Sequence, residues 1–168
     1  AEHRRTVPFL GSEIPILGST ELTVFKMMFA RPKDWIDIVE MLGAGVLALR
    51  RGDLDKATPA LERSLALCDR WDLRLWSFEN AAFLGTAYAL CGRLSEAFPL
   101  FERAVGEMPL KQVDHALVVG QLAEALLLAG RLEEASRYAS QALDLAQRSR
   151  ERGNEAYAWR LLAEVQSR

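Results

Sequence analysis

With two cysteines and two histidines in 168 residues, the chain has little of what most catalytic and metal sites are built from. Cys68 and Cys91 make no disulfide framework and have no histidine at a ligand spacing, which fits a reducing interior; both are expected to be small buried apolar residues. His3 stands at the very start of the sequence. His115 follows Asp114 at the head of a helical pattern, where Asp114 reads as a cap and His115 as a surface residue. No metal set can be assembled from them. A strained nucleophile motif of the Gly-x-Ser-x-Gly kind is also missing. No catalytic residue, metal or cofactor is therefore expected, and the chain reads as something other than an enzyme.

Charge of one sign is lacking too. Lysine and arginine number 21 against 23 acidic residues, a net charge of −2. Such a balance supplies no basic field of the kind that nucleic acid or anionic lipid selects. Half of the residues are apolar, yet no uninterrupted apolar run approaches the roughly 20 residues of a spanning helix. Neither nucleic acid nor membrane is expected as a partner. The start has no basic stretch followed by an apolar one, so no secretory leader is read there, and a chain that opens Ala1-Glu2-His3 without methionine is expected to have sequence upstream. A cytoplasmic location is the expectation that these absences imply.

What the sequence does have is a period. Gly52-Asp53-Leu54-Asp55-Lys56-Ala57, Gly92-Arg93-Leu94-Ser95-Glu96-Ala97 and Gly130-Arg131-Leu132-Glu133-Glu134-Ala135 share one form, and their glycines fall 40 and then 38 residues apart. Each glycine separates two helical apolar patterns, the place for a left-handed residue that ends one helix and lets the next begin. Before Gly92 the pattern is Ala81, Leu84, Tyr88 and Ala89; after it come Ala97, Leu100, Phe101, Ala104 and Val105. Every unit is thus a helical hairpin. A small residue precedes each glycine by two turns (Gly45, Gly85, Ala123) and an alanine comes after it (Ala57, Ala97, Ala135), which lets the two helices of a hairpin approach closely. Trp71 and Trp76 flank the first turn between hairpins and read as stacking one hairpin on the next.

On these residues the chain resembles the tetratricopeptide repeat (TPR) family. The match is fullest around Gly92, with Leu84, Gly85, Tyr88, Ala97, Phe101, Ala104 and Pro109, the last of which closes the second helix in the family. Around Gly130 it keeps Leu122, Ala123, Leu126, Ala135 and Ala142, and around Gly52 it is weaker. A further unit begins at Glu155 with Trp159, Leu162 and Ala163. The resemblance covers about 37–168 and implies a mainly α fold, a right-handed solenoid of antiparallel helical hairpins with about three and a half repeats. Family units of the common form have about 34 residues; the longer ones here are similar to arrays in bacterial signalling ATPases and cyclase-linked regulators. Arg150 to Ala156 looks most like those arrays, with Gly153 read as a C-cap and Asn154 as an N-cap.

Residues 1–36 read as a separate segment. Alternation in Arg4 to Leu10 and Glu13 to Leu17 predicts a short β-hairpin, and after it a helix from about Glu21 to Phe29. Residues 4–42, through Lys26, Arg31, Lys33, Asp34, Trp35 and Asp37, resemble the C-terminal portion of bacterial nucleotidyltransferase-like proteins. In that family a Gly-Ser pair precedes spaced carboxylates that hold Mg²⁺. Gly18-Ser19 has no such carboxylates after it, so the resemblance implies at most a non-catalytic or accessory part of such a system. The first repeat's opening helix overlaps this stretch, and a kink is expected near Gly43-Ala44-Gly45.

In the TPR family the helix before each glycine lines the concave side, which here implies Glu79, Phe83 and Thr86, then Gln121, Glu124 and Leu128, then Tyr157, Arg160 and Glu164 as the face that would hold a partner protein or peptide. The recurrence of Glu79, Glu124 and Glu164 predicts a partly acidic groove suited to a peptide with apolar anchors and positive charge. An apolar stripe left open on the last helix, from Tyr157 to Val165, would be a surface for a homodimer; Arg160, Glu164, Gln166, Ser167 and Arg168 make that helix partly polar, as a cap would be.

Overall fold

The computed structural model describes residues 4–9, 12–17, 32–107 and 115–168. Two compact units divide the chain, Ala1–Ile36 and Asp37–Arg168. In the first, strands β1 (Arg4–Phe9) and β2 (Ser12–Leu17) pair antiparallel, with Arg4 opposite Leu17, Val7 opposite Ile14 and Phe9 opposite Ser12. The helix expected over Glu21 to Phe29 lies outside the described residues, as do Lys26, Arg31, Pro109 and Asp114.

Among the described residues the second unit is helical throughout. After α1 (Pro32–Arg50) come α2 (Leu54–Arg70), α3 (Arg74–Leu90), α4 (Leu94–Glu107), α5 (His115–Leu128), α6 (Leu132–Ser149) and α7 (Arg152–Gln166). Helix α1 runs unbroken through Gly43-Ala44-Gly45, the place where the glycine pair predicts a kink. The two glycines differ in kind. A Cβ on Gly45 would lie 2.7 Å from Leu61 Cγ of α2, so close packing holds that position, whereas a Cβ on exposed Gly43 would meet nothing within 4 Å.

The turns share one hydrogen-bond pattern. Gly92 donates to the Ala89 carbonyl and Arg93 to that of Tyr88; Gly52 and Gly130, with the residues after them, repeat it. This is the Schellman closure, which needs a left-handed residue, and the three glycines have φ of 74°, 77° and 73°. The same closure recurs between hairpins with other residues in the left-handed place: Asp72 at φ 49° after α2 and Arg150 at φ 58° after α6. The caps expected at Gly153 and Asn154 are therefore displaced. Arg150 caps α6, Glu151 is the N-cap of α7, and Gly153 and Asn154 stand in the first turn of α7, where Asn154 donates to the Glu151 carboxylate.

Helices α2 and α6 bury one stripe each: Ala57, Leu61, Ser64, Leu65 and Cys68 in the first, Ala135, Ala139, Ala142 and Ala146 in the second. Helix α3 is surrounded, with every residue from Ala81 to Ala87 buried, because it packs on α2, α4 and α5 at once. Helix α5 likewise packs on α3, α4, α6 and α7. The small-residue contact is direct at Gly85, where a Cβ would lie 3.0 Å from the Phe101 ring and 3.3 Å from the Ala97 carbonyl oxygen. Buried polar groups add cross-links: Ser64 Oγ donates to the Ile38 carbonyl of α1, and Asn80, which also donates to the Trp76 carbonyl of its own helix, donates to Cys68 Sγ of α2 at 3.7 Å.

The two cysteines, both expected to be buried, part ways, and so do the two tryptophans of the first inter-hairpin turn. Cys68 is buried, and loss of solvent pushes its thiol up to about 11, the mark of an inert core sulfur. Cys91 is exposed, since it is the C-cap of α3, where the chain turns at the surface. Trp76 packs against the core, but Trp71 is exposed, with the Arg70 guanidinium 5.6 Å from its ring centroid.

Candidate protein-binding groove

The helices that precede the glycine turns, α1, α3 and α5, together with the last helix α7, line a groove of about 430 Å³. Leu49 and Arg50 end α1; Phe83, Thr86 and Leu90 come from α3, Leu117, Gln121 and Glu124 from α5, and Gly153, Asn154 and Tyr157 from α7. Three-and-four spacing puts 83, 86 and 90 on one side of α3, and 117, 121 and 124 on one side of α5. Phe83, Thr86, Gln121, Glu124 and Tyr157, expected on the concave face, thus come together. Glu79 is half-buried one turn earlier and Leu128 is exposed at the end of α5; neither is in the lining. Arg160 and Glu164 also lie outside it.

Those two side chains explain why the acidity read from the sequence is not available to a ligand. Tyr157 Oη donates to Glu124 Oε2 at 2.7 Å, and the Arg160 guanidinium holds the other oxygen. Arg160 also pairs with Glu164 at 3.0 Å, and Glu164 with Arg168 at 3.3 Å. Each of these carboxylates is answered by a neighbour: Glu124 ties α5 to α7, Glu164 is held by arginines on and just beyond its own helix, and neither presents free negative charge. Burial, reinforced by the Glu124 carboxylate, raises the Tyr157 phenol well above its ordinary value of 10.0. A second glutamate–tyrosine–arginine cluster joins α2 to α3: Tyr88 Oη donates to Glu62 at 2.7 Å beneath the Arg93 guanidinium, 3.8 Å from the ring centroid.

Gly120 makes room for the Tyr157 ring, since a Cβ there would stand 2.8 Å from Cε1 and 3.0 Å from Cδ1. Leu90, Leu117, Arg50 and Asn154 join the lining beyond the residues expected from the family. Leu90 continues the Phe83–Thr86 side of α3 and Leu117 lies one turn before Gln121, so helical spacing held the signal for both. The hydroxyl of Thr86 is turned to its own helix, donating to the Ala82 carbonyl at 2.9 Å. Gln121 is 5% exposed, and its Oε1 accepts no hydrogen bond among the described residues.

A second hollow of about 420 Å³ lies by Cys68, Asp69, Asp72, Ser77 and Arg103. Arg103 of α4 donates to both Asp69 and Ser77 and so bridges α2, α3 and α4. No group of three or more histidine, cysteine, aspartate or glutamate side chains among the described residues could hold a metal ion. No helix among them is long and apolar enough to cross a membrane.

Comparison with solved structures places this arrangement. A chain of a T3SS complex from Aeromonas hydrophila superposes with a TM-score of 0.60 at 19% identity, over 89% of this chain and 97% of that one. A Podosopora anserina kinesin light chain with nearly identical TPR-like repeats superposes with a TM-score of 0.52 at 17% identity, over 77% of this chain and 74% of that one. The fold is a TPR-like helical repeat. No protein-family model and no curated protein matches the sequence. In TPR-like terms α3 with α4 and α5 with α6 are hairpins, and the groove is the side to which their first helices contribute.

Proposed function

We propose that the chain is a protein-interaction scaffold without catalytic activity, which holds a segment of a partner protein in the groove formed by α1, α3, α5 and α7. The observation that carries this reading is the lining itself: exposed Leu90 and part-buried Leu117 sit beside a buried, unsatisfied amide on a face built from four separate helices. Apolar surface with a few placed polar groups is what a recognised segment requires. Both structural neighbours are consistent with it, one coming from a T3SS complex and the other carrying TPR-like repeats. A location in the cytoplasm accords with the cysteine usage.

Site-specific photo-cross-linking tests it. A benzophenone side chain placed at Leu90 in the full chain should capture a defined partner, and the same group at Glu102, exposed on α4, should not. Equal capture from both positions, or capture from Glu102 alone, would reject the groove as the binding face.

The reading as an accessory part of a nucleotidyltransferase-like system has no structural observation in its favour, since Lys26 and Arg31 lie outside the described residues. A homodimer through α7 is a third arrangement: Trp159 on that helix is 54% exposed. Light scattering over a concentration series would reveal it as rising mass.

A further inference from the structure

With the groove taken as the binding face, as proposed above, two of its requirements are unmet. The first is Gln121. Its side chain is all but buried, it lines the groove, and its Oε1 has no hydrogen-bond partner among the described residues. Buried polar atoms are nearly always paired, so this orphaned oxygen, itself closed off from solvent on a residue that lines the groove, is one that a ligand can satisfy once the Gln121 side chain turns outward. A primary amide offers both an acceptor and two donors, which suits the N–H and C=O of a peptide main chain.

The second requirement is charge. Arg50 and Glu124 are the two charged side chains in the lining. Glu124 is already engaged by Tyr157 and Arg160. Arg50 is exposed in the last turn of α1 and has no ion pair among the described residues. The carbonyl end of α1 favours a cation there, but it supplies no carboxylate for the guanidinium fork. The charge on offer to a ligand is therefore positive, opposite to the sign read from the sequence. The same lining holds Phe83, Leu90 and Leu117, with Leu90 44% exposed.

We propose that the groove takes an acidic, apolar peptide segment of a partner protein. An apolar side chain of the segment rests on Phe83, Leu90 and Leu117, a side-chain carboxylate meets Arg50, and a main-chain amide is hydrogen-bonded by Gln121. A guanidinium and a carboxylate can pair through two parallel hydrogen bonds, which fixes register as well as sign. A groove of about 430 Å³ holds a few side chains and not a folded domain, which agrees with a short segment.

Selection of short random peptides displayed on phage, run in parallel on the intact full chain and on its Arg50→Glu variant, tests this. The intact chain should enrich peptides that combine leucine-like anchors with glutamate or aspartate. Those peptides should bind Arg50→Glu about tenfold or more weakly, consistent with a close charge pair at an interface. Arg50→Lys should retain more of the affinity than Arg50→Glu, and Gln121→Leu should lose about tenfold for a missing hydrogen bond. Arg50 is exposed, so its variants keep the fold. Enrichment of lysine- and arginine-rich peptides, or equal binding to Arg50→Glu, would overturn the assigned chemistry while leaving the groove as the site. Selection of peptides whose binding survives Leu90→Glu would remove the groove reading together with it.

Discussion

Tyr157 of α7 donates its phenolic hydrogen to Glu124 of α5 at 2.7 Å, and the ring that positions this hydroxyl lies where a Cβ on Gly120 would be. A tyrosine, a carboxylate and a glycine thus fix how the last helix meets α5. Removing the hydroxyl by Tyr157→Phe leaves Glu124 with Arg160 alone and should destabilise the chain by about 1–2 kcal/mol, as measured by urea denaturation. For the same reason Glu124→Lys would disturb folding before it reported on binding.

The tyrosine also predicts a pH dependence. Below its ordinary value of 10.0 the Tyr157 phenol is protonated in both folded and unfolded chains, and it adds no slope. Above that value the unfolded chain loses the proton while the folded chain keeps it, so folding takes up a proton and stability falls as pH rises. The denaturation midpoint should drop on the alkaline side, and drop less steeply in Tyr157→Phe. Tyr88 is raised in the same direction by its own burial and by Glu62, so the difference between the two proteins isolates Tyr157.

Glycines should respond by their surroundings. Gly120→Ala should cost about 1–3 kcal/mol through overpacking, because the ring it meets is held by Glu124. Gly43→Ala, in an exposed part of α1 with nothing within 4 Å, should stabilise by roughly 0.5–1 kcal/mol. Thermal melts that move the same way for both would contradict the packing described.

At the hairpin contact, Ala97 is fully buried and its carbonyl oxygen faces Gly85. Ala97→Leu should lose about 1–3 kcal/mol, whereas Glu102→Leu on the exposed side of α4 should stay within about 0.5 kcal/mol of the parent. Equal melting of the two would mean that α3 and α4 do not pack through these residues.

The left-handed residue that closes α6 is an arginine. Arg150→Gly should gain about 1 kcal/mol by relieving a Cβ clash, as urea denaturation would show.

The hairpins are legible in the sequence because their turns demand a residue type. Gly52, Gly92 and Gly130 repeat at matching places, and the alanine that comes after each one is buried. The turns between hairpins are less legible. Asp72 and Arg150 adopt the same geometry without a glycine to announce it, which is why Gly153 and Asn154 read as the caps in their stead. On the groove, helical spacing brings Phe83, Thr86, Gln121, Glu124 and Tyr157 to one side, since period alone decides which residues share a face. Pairing is not legible in the same way. Glu124 reads as an open acid until Tyr157 and Arg160, far along the chain, are seen against it, and Arg50, which no sequence pattern singles out, stands out only by its lack of a carboxylate among the described residues. Gly120 is invisible for the same reason, since what needs its missing side chain is Tyr157.

Methyl NMR of the full chain, titrated with an acidic peptide bearing leucine anchors, tests most directly whether the turn-preceding helices form the face that holds a partner. The methyl signals of Leu49, Leu90 and Leu117 should shift in a saturable way while those of Leu67 on α2 and Leu143 on α6 stay in place. Saturable shifts confined to Leu67 and Leu143 would contradict the groove assignment.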